Sequence, residues 1–162
     1  MPYPKAINHI AISVPDLDKA LKWYQEVLDF VIVRGPTELS VDDPQMGKAL
    51  QDIFGSEFKR LRLVWLSSSN NIGFEIFEFI SPKSVRENKQ SQCWRGGVIH
   101  ISITEPNVEN FVKKVSESGG RQLSMIWELN PEKHHKLVFC EDPFGNIIEI
   151  YSHSFEQFHS NM

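Results

Sequence analysis

Residues 7–30, INHIAISVPDLDKALKWYQEVLDF, carry the reading that decides the fold. Ile10, Ile12 and Val14 alternate with His9, Ala11 and Ser13, the period-two pattern of a strand with one apolar face. Pro15 ends that strand, and Asp16 supplies an N-cap. Leu17, Ala20, Leu21, Tyr24 and Leu28 then recur at helical spacing and predict an amphipathic helix to about Leu28. The β-rich run Phe30–Val33 follows.

The same order begins again near residue 97. VIHISIT (98–104) repeats the pattern of NHIAISV, and Pro106 and Asn107 open a second helix through Val108, Phe111, Val112 and Val115. Gly119 and Gly120 stop it. In the first half, strands are predicted at Leu61–Leu66 and Gly73–Ile80, joined by the polar hairpin Ser67–Asn71. In the second half a β-rich run lies near Gln122–Glu128. Strands at Lys136–Cys140 and Asn146–Tyr151 flank the turn Asp142–Asn146. Duplication is therefore the main organisational signal. The predicted class is α+β, two tandem βαβββ modules within one 1–162 domain. Module 1 covers about 5–80 with an insertion at 36–60 that holds a short helix near Met46–Phe54. A charged linker spans 81–96, module 2 covers about 97–152, and 153–162 is a tail or short helix.

The 162 residues suffice for one domain with a real core, and 41% are hydrophobic. A net charge of −4 with interspersed signs gives no case for nucleic acid or an anionic membrane. Cys93 and Cys140 have no metal-motif spacing, no signal peptide is recognisable, and no apolar run is long enough to span a bilayer. The expectation is a soluble cytoplasmic protein.

His9 and His100 occupy matching places in matching strands. Their same-side neighbours, Ala11 and Ser13, Ser102 and Thr104, are small, which leaves an open face beside each imidazole. In GFEIFEF (73–79), Glu75 lies opposite Phe74 and Ile76, and in NIIEIYS (146–152), Glu149 lies opposite Ile148 and Ile150. A single His or Glu in a strand is ordinarily solvated or hydrogen-bonded. Recurrence of one of each at matching places is what points to a site. Glu78 competes with Glu75, but parity puts it on the other face. Two imidazoles and two carboxylates suit one divalent ion: Ni, Zn, Co, Mn or Fe(II).

These stretches resemble the vicinal oxygen chelate superfamily, which includes glyoxalase I, methylmalonyl-CoA epimerase, extradiol dioxygenases and bleomycin or fosfomycin resistance proteins. The chain is similar in particular to a glyoxalase-like branch. The resemblance runs over roughly residues 5–152 and is carried by residues 8–30, GFEIFEF, GGVIHISI and EDPFGNIIEIYS. It implies paired modules whose curved mixed sheet cups a metal, with helices on the outer face. It places His9, Glu75, His100 and Glu149 at the four ligand positions and implies a homodimer. The 36–60 insertion departs from the compact bacterial glyoxalase pattern.

The expected activity is that of a lyase or isomerase. Glu75 or Glu149 serves as the base beside a carbonyl, on a small substrate with vicinal oxygens. Extradiol ring cleavage is an alternative, as is a non-catalytic binding protein whose pocket Phe77, Phe79, Trp94 and Tyr151 would line. Arg60 and Arg62 share a face; they hold a substrate anion if that face is the concave one, and otherwise belong to an exposed edge strand. Trp94 and Arg95 cap the pocket or fill a linker contact. His134 and His135 are expected in a solvated loop, and His153 and His159 in the tail.

Overall fold

The computed structural model describes residues 3–84, 94, 96–130 and 132–160. Two compact units divide the chain, Met1–Glu87 and Asn88–Met162. Cys93, Arg95 and Pro131 lie outside the described residues.

The first unit runs β1 (His9–Ser13), α1 (Leu17–Leu28), β2 (Val31–Ser40), α2 (Gly47–Phe54), β3 (Arg60–Ser67) and β4 (Gly73–Ser81). Its sheet has the order β1-β4-β3-β2, with β1 parallel to β4 and the other pairs antiparallel. Asp16 caps α1 by accepting from the Lys19 N–H at 3.1 Å. The buried stripe of α1 is Leu17, Ala20, Trp23, Tyr24 and Val27, shifted from the sequence-based one. Leu21 and Leu28 sit at its flank, because Tyr24 turns onto Phe74 of β4, ring centroids 4.9 Å apart.

Strand β2 extends well past Val33, so the inserted segment starts later than the sequence suggests. Its helix α2 packs on the sheet face away from α1. There Leu50 and Phe58 meet Leu61 and Leu63, with Phe54, Phe77 and Phe79 against them. Both faces of β3 and β4 are thus covered over part of their length. That arrangement explains why β3 is nearly continuously apolar apart from its arginines.

The second unit runs β5 (Ile101–Thr104), α3 (Val108–Glu117), β6 (Arg121–Gln122), β7 (Trp127–Asn130), β8 (His135–Glu141), β9 (Ile147–Tyr151) and α4 (Phe155–His159). Its order is β5-β9-β8-β6, with β7 also paired to β8, so the third element of the βαβββ pattern is split in two. Val108, Phe111, Val112 and Val115 are the buried face of α3, which packs on β8. The turn before β9 is tied by Asp142, whose carboxylate accepts from the N–H groups of Phe144 (2.9 Å) and Asn146 (2.7 Å).

The repeat holds residue by residue. Ninety-one positions separate His9 from His100 and Asp18 from Glu109, but 74 separate Arg62 from Lys136 and Glu75 from Glu149. The first unit therefore carries 17 more residues between its first helix and its last two strands, which is where α2 lies. In the second unit α4 does a corresponding job. Phe158 stands edge-on to Tyr151 at 4.4 Å and stacks on His135 at 5.2 Å. Tyr151 and His135 are the register equivalents of Phe77 and Leu61. The sequence-based arrangement put every helix on one side; α1 and α3 follow it, whereas α2 and α4 pack on the faces that carry Glu75 and Tyr151.

Candidate functional site

Each unit brings the histidine near its start to the glutamate of its last strand. In the first, Ala11 of β1 is directly beside Glu75 of β4, and His9 is beside Gly73. His9 Nε2 comes within 3.6 Å of Glu75 Oε2. Gly73 makes that approach possible, because a Cβ there would stand 2.9 Å from the His9 Cβ. Asn8 orients the ring: its Oδ1 is 2.8 Å from His9 Nδ1. An amide oxygen only accepts, so this contact uses Nδ1 as the donor and leaves Nε2 to face Glu75.

In the second unit Ser102 of β5 is beside Glu149 of β9, the counterpart of Ala11 beside Glu75. His100 Nε2 lies 3.1 Å from Glu149 Oε2, and the Glu149 side chain is 9% exposed. Phe139, opposite Glu149 on β8, meets the His100 ring edge-on at 5.5 Å. His100 Nδ1 is buried and has no hydrogen-bond partner among the described residues. Tyr151, two residues on from Glu149, shares its face. Burial first, then the Glu149 charge and a hydrogen bond to it, push the phenol up from its ordinary value.

Every pair offers a divalent ion one imidazole nitrogen and one carboxylate oxygen, a donor set that fits zinc, nickel, manganese or iron. The Asn8 contact is the outer hydrogen bond a ligating histidine uses. Among the described residues, no group of three or more His, Cys, Asp and Glu side chains gathers to hold an ion. The structure joins His9 to Glu75 and His100 to Glu149, pair by pair.

Other sequence candidates go elsewhere. Glu78 faces α1, where its carboxylate accepts from Arg62 Nη1 at 3.1 Å. Arg62 also donates twice to Asp18, at 2.8 and 3.0 Å. β3 is an internal strand and Arg62 lies on the α1 side, so neither the anion-binding nor the edge-strand expectation holds for it. Arg60 pairs with Glu38 at 3.4 Å. Lys136 and Glu109 repeat the Arg62–Asp18 bridge at 2.5 Å. Phe77 and Phe79 do share the Glu75 face, but stack within the α2 cluster. Trp94 is exposed.

His135 corrects the expectation of a solvated loop. It opens β8, is 7% exposed, and stacks between His153, at 4.3 Å, and Phe158. His134 is exposed and bonds Glu128. His159 ends α4, against Tyr151, Phe155 and Phe158, so it belongs to a packed helix rather than a free tail. No helix among the described residues is long and apolar enough to cross a membrane.

Comparison with known proteins agrees with the repeated βαβββ architecture. A 2-epi-5-epi-valiolone epimerase from Actinomyces is 25% identical over 153 residues, covering 93% of this chain and 80% of that one. Glyoxylase I 4 from Arabidopsis thaliana is 23% identical over 150 residues, covering 90% and 69%. Among solved structures, a glyoxalase family protein from Bacillus cereus superimposes with a TM-score of 0.72 at 15% identity, covering 93% and 97%. A mutant of the fosfomycin resistance protein FosX from Listeria monocytogenes, complexed with Mn(II) and 1S,2S-dihydroxypropylphosphonic acid, gives 0.61 at 13%, covering 96% and 98%. A family model matches residues 6–150, and on that match the chain belongs to the glyoxalase/bleomycin resistance protein/dioxygenase superfamily.

Proposed function

We propose that this protein is a metal-dependent isomerase or lyase of the glyoxalase I type, with His9, Glu75, His100 and Glu149 as ligands to one divalent ion. One observation carries the reading: a histidine Nε2 faces a glutamate Oε2 in both units, and the two pairs stand at matching places in the repeat. The two relatives named as an epimerase and as glyoxylase I favour proton-transfer chemistry. The complex of the FosX mutant with Mn(II) and a dihydroxy compound fits an ion that takes vicinal oxygens.

When bound, such an ion would supply Lewis acidity to a substrate carbonyl and stabilise the negative charge that builds as the adjacent C–H loses its proton. The chain does the rest. Glu149, held among Phe139, His100 and Tyr151, is the better shielded carboxylate and takes the proton. Glu75, more open to solvent, delivers a proton taken up from water to the neighbouring carbon, and Glu149 gives its own up to water on turnover. Asn8 holds the His9 ring in place through Nδ1. The small side chains of Ala11, Ser13, Ser102 and Thr104 leave room beside each pair. A homodimer and a small substrate with vicinal oxygens complete the proposal.

Two measurements test it. Protein purified without added metal should retain a divalent ion by elemental analysis, and His9→Ala should lose it. In D₂O, NMR should show deuterium entering the carbon beside the carbonyl of a hydroxyketone or hemithioacetal, and Glu149→Gln should stop that exchange with the fold retained. Undiminished exchange in Glu149→Gln would sink the mechanism.

A further inference from the structure

Arg34 stands in the register row of Glu75. On β3, Trp65 pairs with Glu75 on one side and with Arg34 on the other, while Ala11 flanks Glu75 on β1. Directly paired residues point to the same face of a sheet, so Ala11, Glu75, Trp65 and Arg34 form one row on the His9 side. The Arg34 guanidinium carbon sits over the Trp65 ring, 5.2 Å from its centroid. A cation held on an indole face is positioned before any ligand arrives.

The strand is shaped to put it there. The register of β2 slips between Ile32 and Arg34, and again between Arg34 and Thr37. Irregularities of this kind re-aim a side chain. Gly35 between the slips has φ +90°, and a Cβ there would stand 2.9 Å from the Leu63 carbonyl oxygen, so the kink requires glycine.

Its charge is also uncommitted. Arg62 is spent on Asp18 and Glu78, and Arg60 on Glu38. Among the described residues no carboxylate pairs with Arg34, although it is exposed on the face of the candidate site. Two strand spacings separate it from Glu75, about 10 Å between Cα atoms.

We propose that Arg34 is the anion-binding residue of this site, holding a carboxylate or phosphate group of the substrate while the reacting carbon lies at Glu75. The assignment rests on the reading of Glu75 as part of the functional site. A guanidinium grips either group with two parallel N–H donors, and its stacking on Trp65 lowers the ordering cost of doing so. Of the cations that sequence reasoning singled out, Arg62 faces α1; the row assigns the role to one it passed over.

The test is titration calorimetry of the full chain with dihydroxyacetone phosphate, hydroxypyruvate and uncharged dihydroxyacetone. Wild type should bind at least one anion about tenfold or more tightly than dihydroxyacetone, and the tighter anion identifies the group recognised. Arg34→Ala should abolish that preference without changing dihydroxyacetone binding, and Arg34→Lys should restore part of it. Arg60→Ala should leave it intact. Wild type with no preference for either anion, or Arg34→Ala with the preference unchanged, overturns the proposal. Deuterium exchange separates the two readings. Lost preference in Arg34→Ala beside absent exchange in wild type supports Arg34 and removes the proton-transfer reading. Exchange without anion preference does the reverse.

Discussion

Replacing Gly73 by alanine tests the construction of the first His–Glu pair without touching either member. The new Cβ would stand 2.9 Å from the His9 Cβ and 3.4 Å from the Asn8 carbonyl oxygen. Ordinary contact begins at about 3.4 Å, so β1 and β4 must part by about half an ångström at this point. The clashing atom is the root of the His9 side chain, not its mobile end, so rotation about χ1 gives no relief. Metal–ligand distances tolerate about 0.2 Å, and a displaced ligand should weaken divalent binding roughly tenfold to a hundredfold, about 1.4–2.8 kcal/mol. The equivalent position in the second unit holds Ile147. A side chain is accommodated there because β5 starts only at Ile101, leaving His100 outside the ladder. Competition for Co(II) or Zn(II) against a chelating dye measures the effect, with circular dichroism to show that the fold is kept. Wild-type affinity in a folded Gly73→Ala protein would refute the argument that this glycine seats His9.

Three further outcomes are expected. Arg62→Ala should lower stability in urea by about 1–3 kcal/mol, because Glu78 loses its charged partner in a part-buried place, while the exposed Asp18 contributes little. His135 is held below its ordinary pKa by burial and then by His153 and Lys133, so the unfolded chain binds the proton more readily. Its contribution to stability should be full above about pH 6.5 and be lost as pH falls toward the lowered value. NMR titration of the ring, and thermal midpoints that lose part of their acid sensitivity in His135→Leu, check this. Burial pushes the Cys140 thiol up to about 11, so Cys140 should resist iodoacetamide at pH 8 until urea unfolds the protein, as mass spectrometry of the alkylated peptide would show.

Periodicity was enough for the duplicated order, because His9–Ser13 and Ile101–Thr104 alternate cleanly and each precedes a helix with a clear apolar stripe. Parity alone also separated Glu75 from Glu78. The arginines show where such reasoning stops. Alternation tells that Arg60 and Arg62 share a face, but the usual assignment of polar residues to the open face fails when α2 buries Leu61 and Leu63 on the other side. The positions of Arg62 and Asp18 at the rim of α1 are tertiary facts. Arg34 has no signature in the sequence, because two register slips set its direction and these leave no periodic trace. His135 sits beside a polar loop, and only the return of α4 over β8 and β9 buries it. Five residues are too few for a helical pattern to stand out in the sequence, although the Ser154–Gln157 capping box is visible there.

The helices that close the far end of each sheet have different origins in the chain. In the first unit the cover is an insertion within the module; in the second it is appended after the last strand. The two units thus meet the same demand with separate segments, and each cover can vary alone. A truncation after Ser152 would strip Tyr151 and His135 of their aromatic neighbour and leave Phe77 and Phe79 under α2 untouched. Lengthening the 41–59 segment would do the opposite. A chain built this way can reshape the far end of each sheet one at a time, keeping β1 beside β4 and β5 beside β9 as a constant frame.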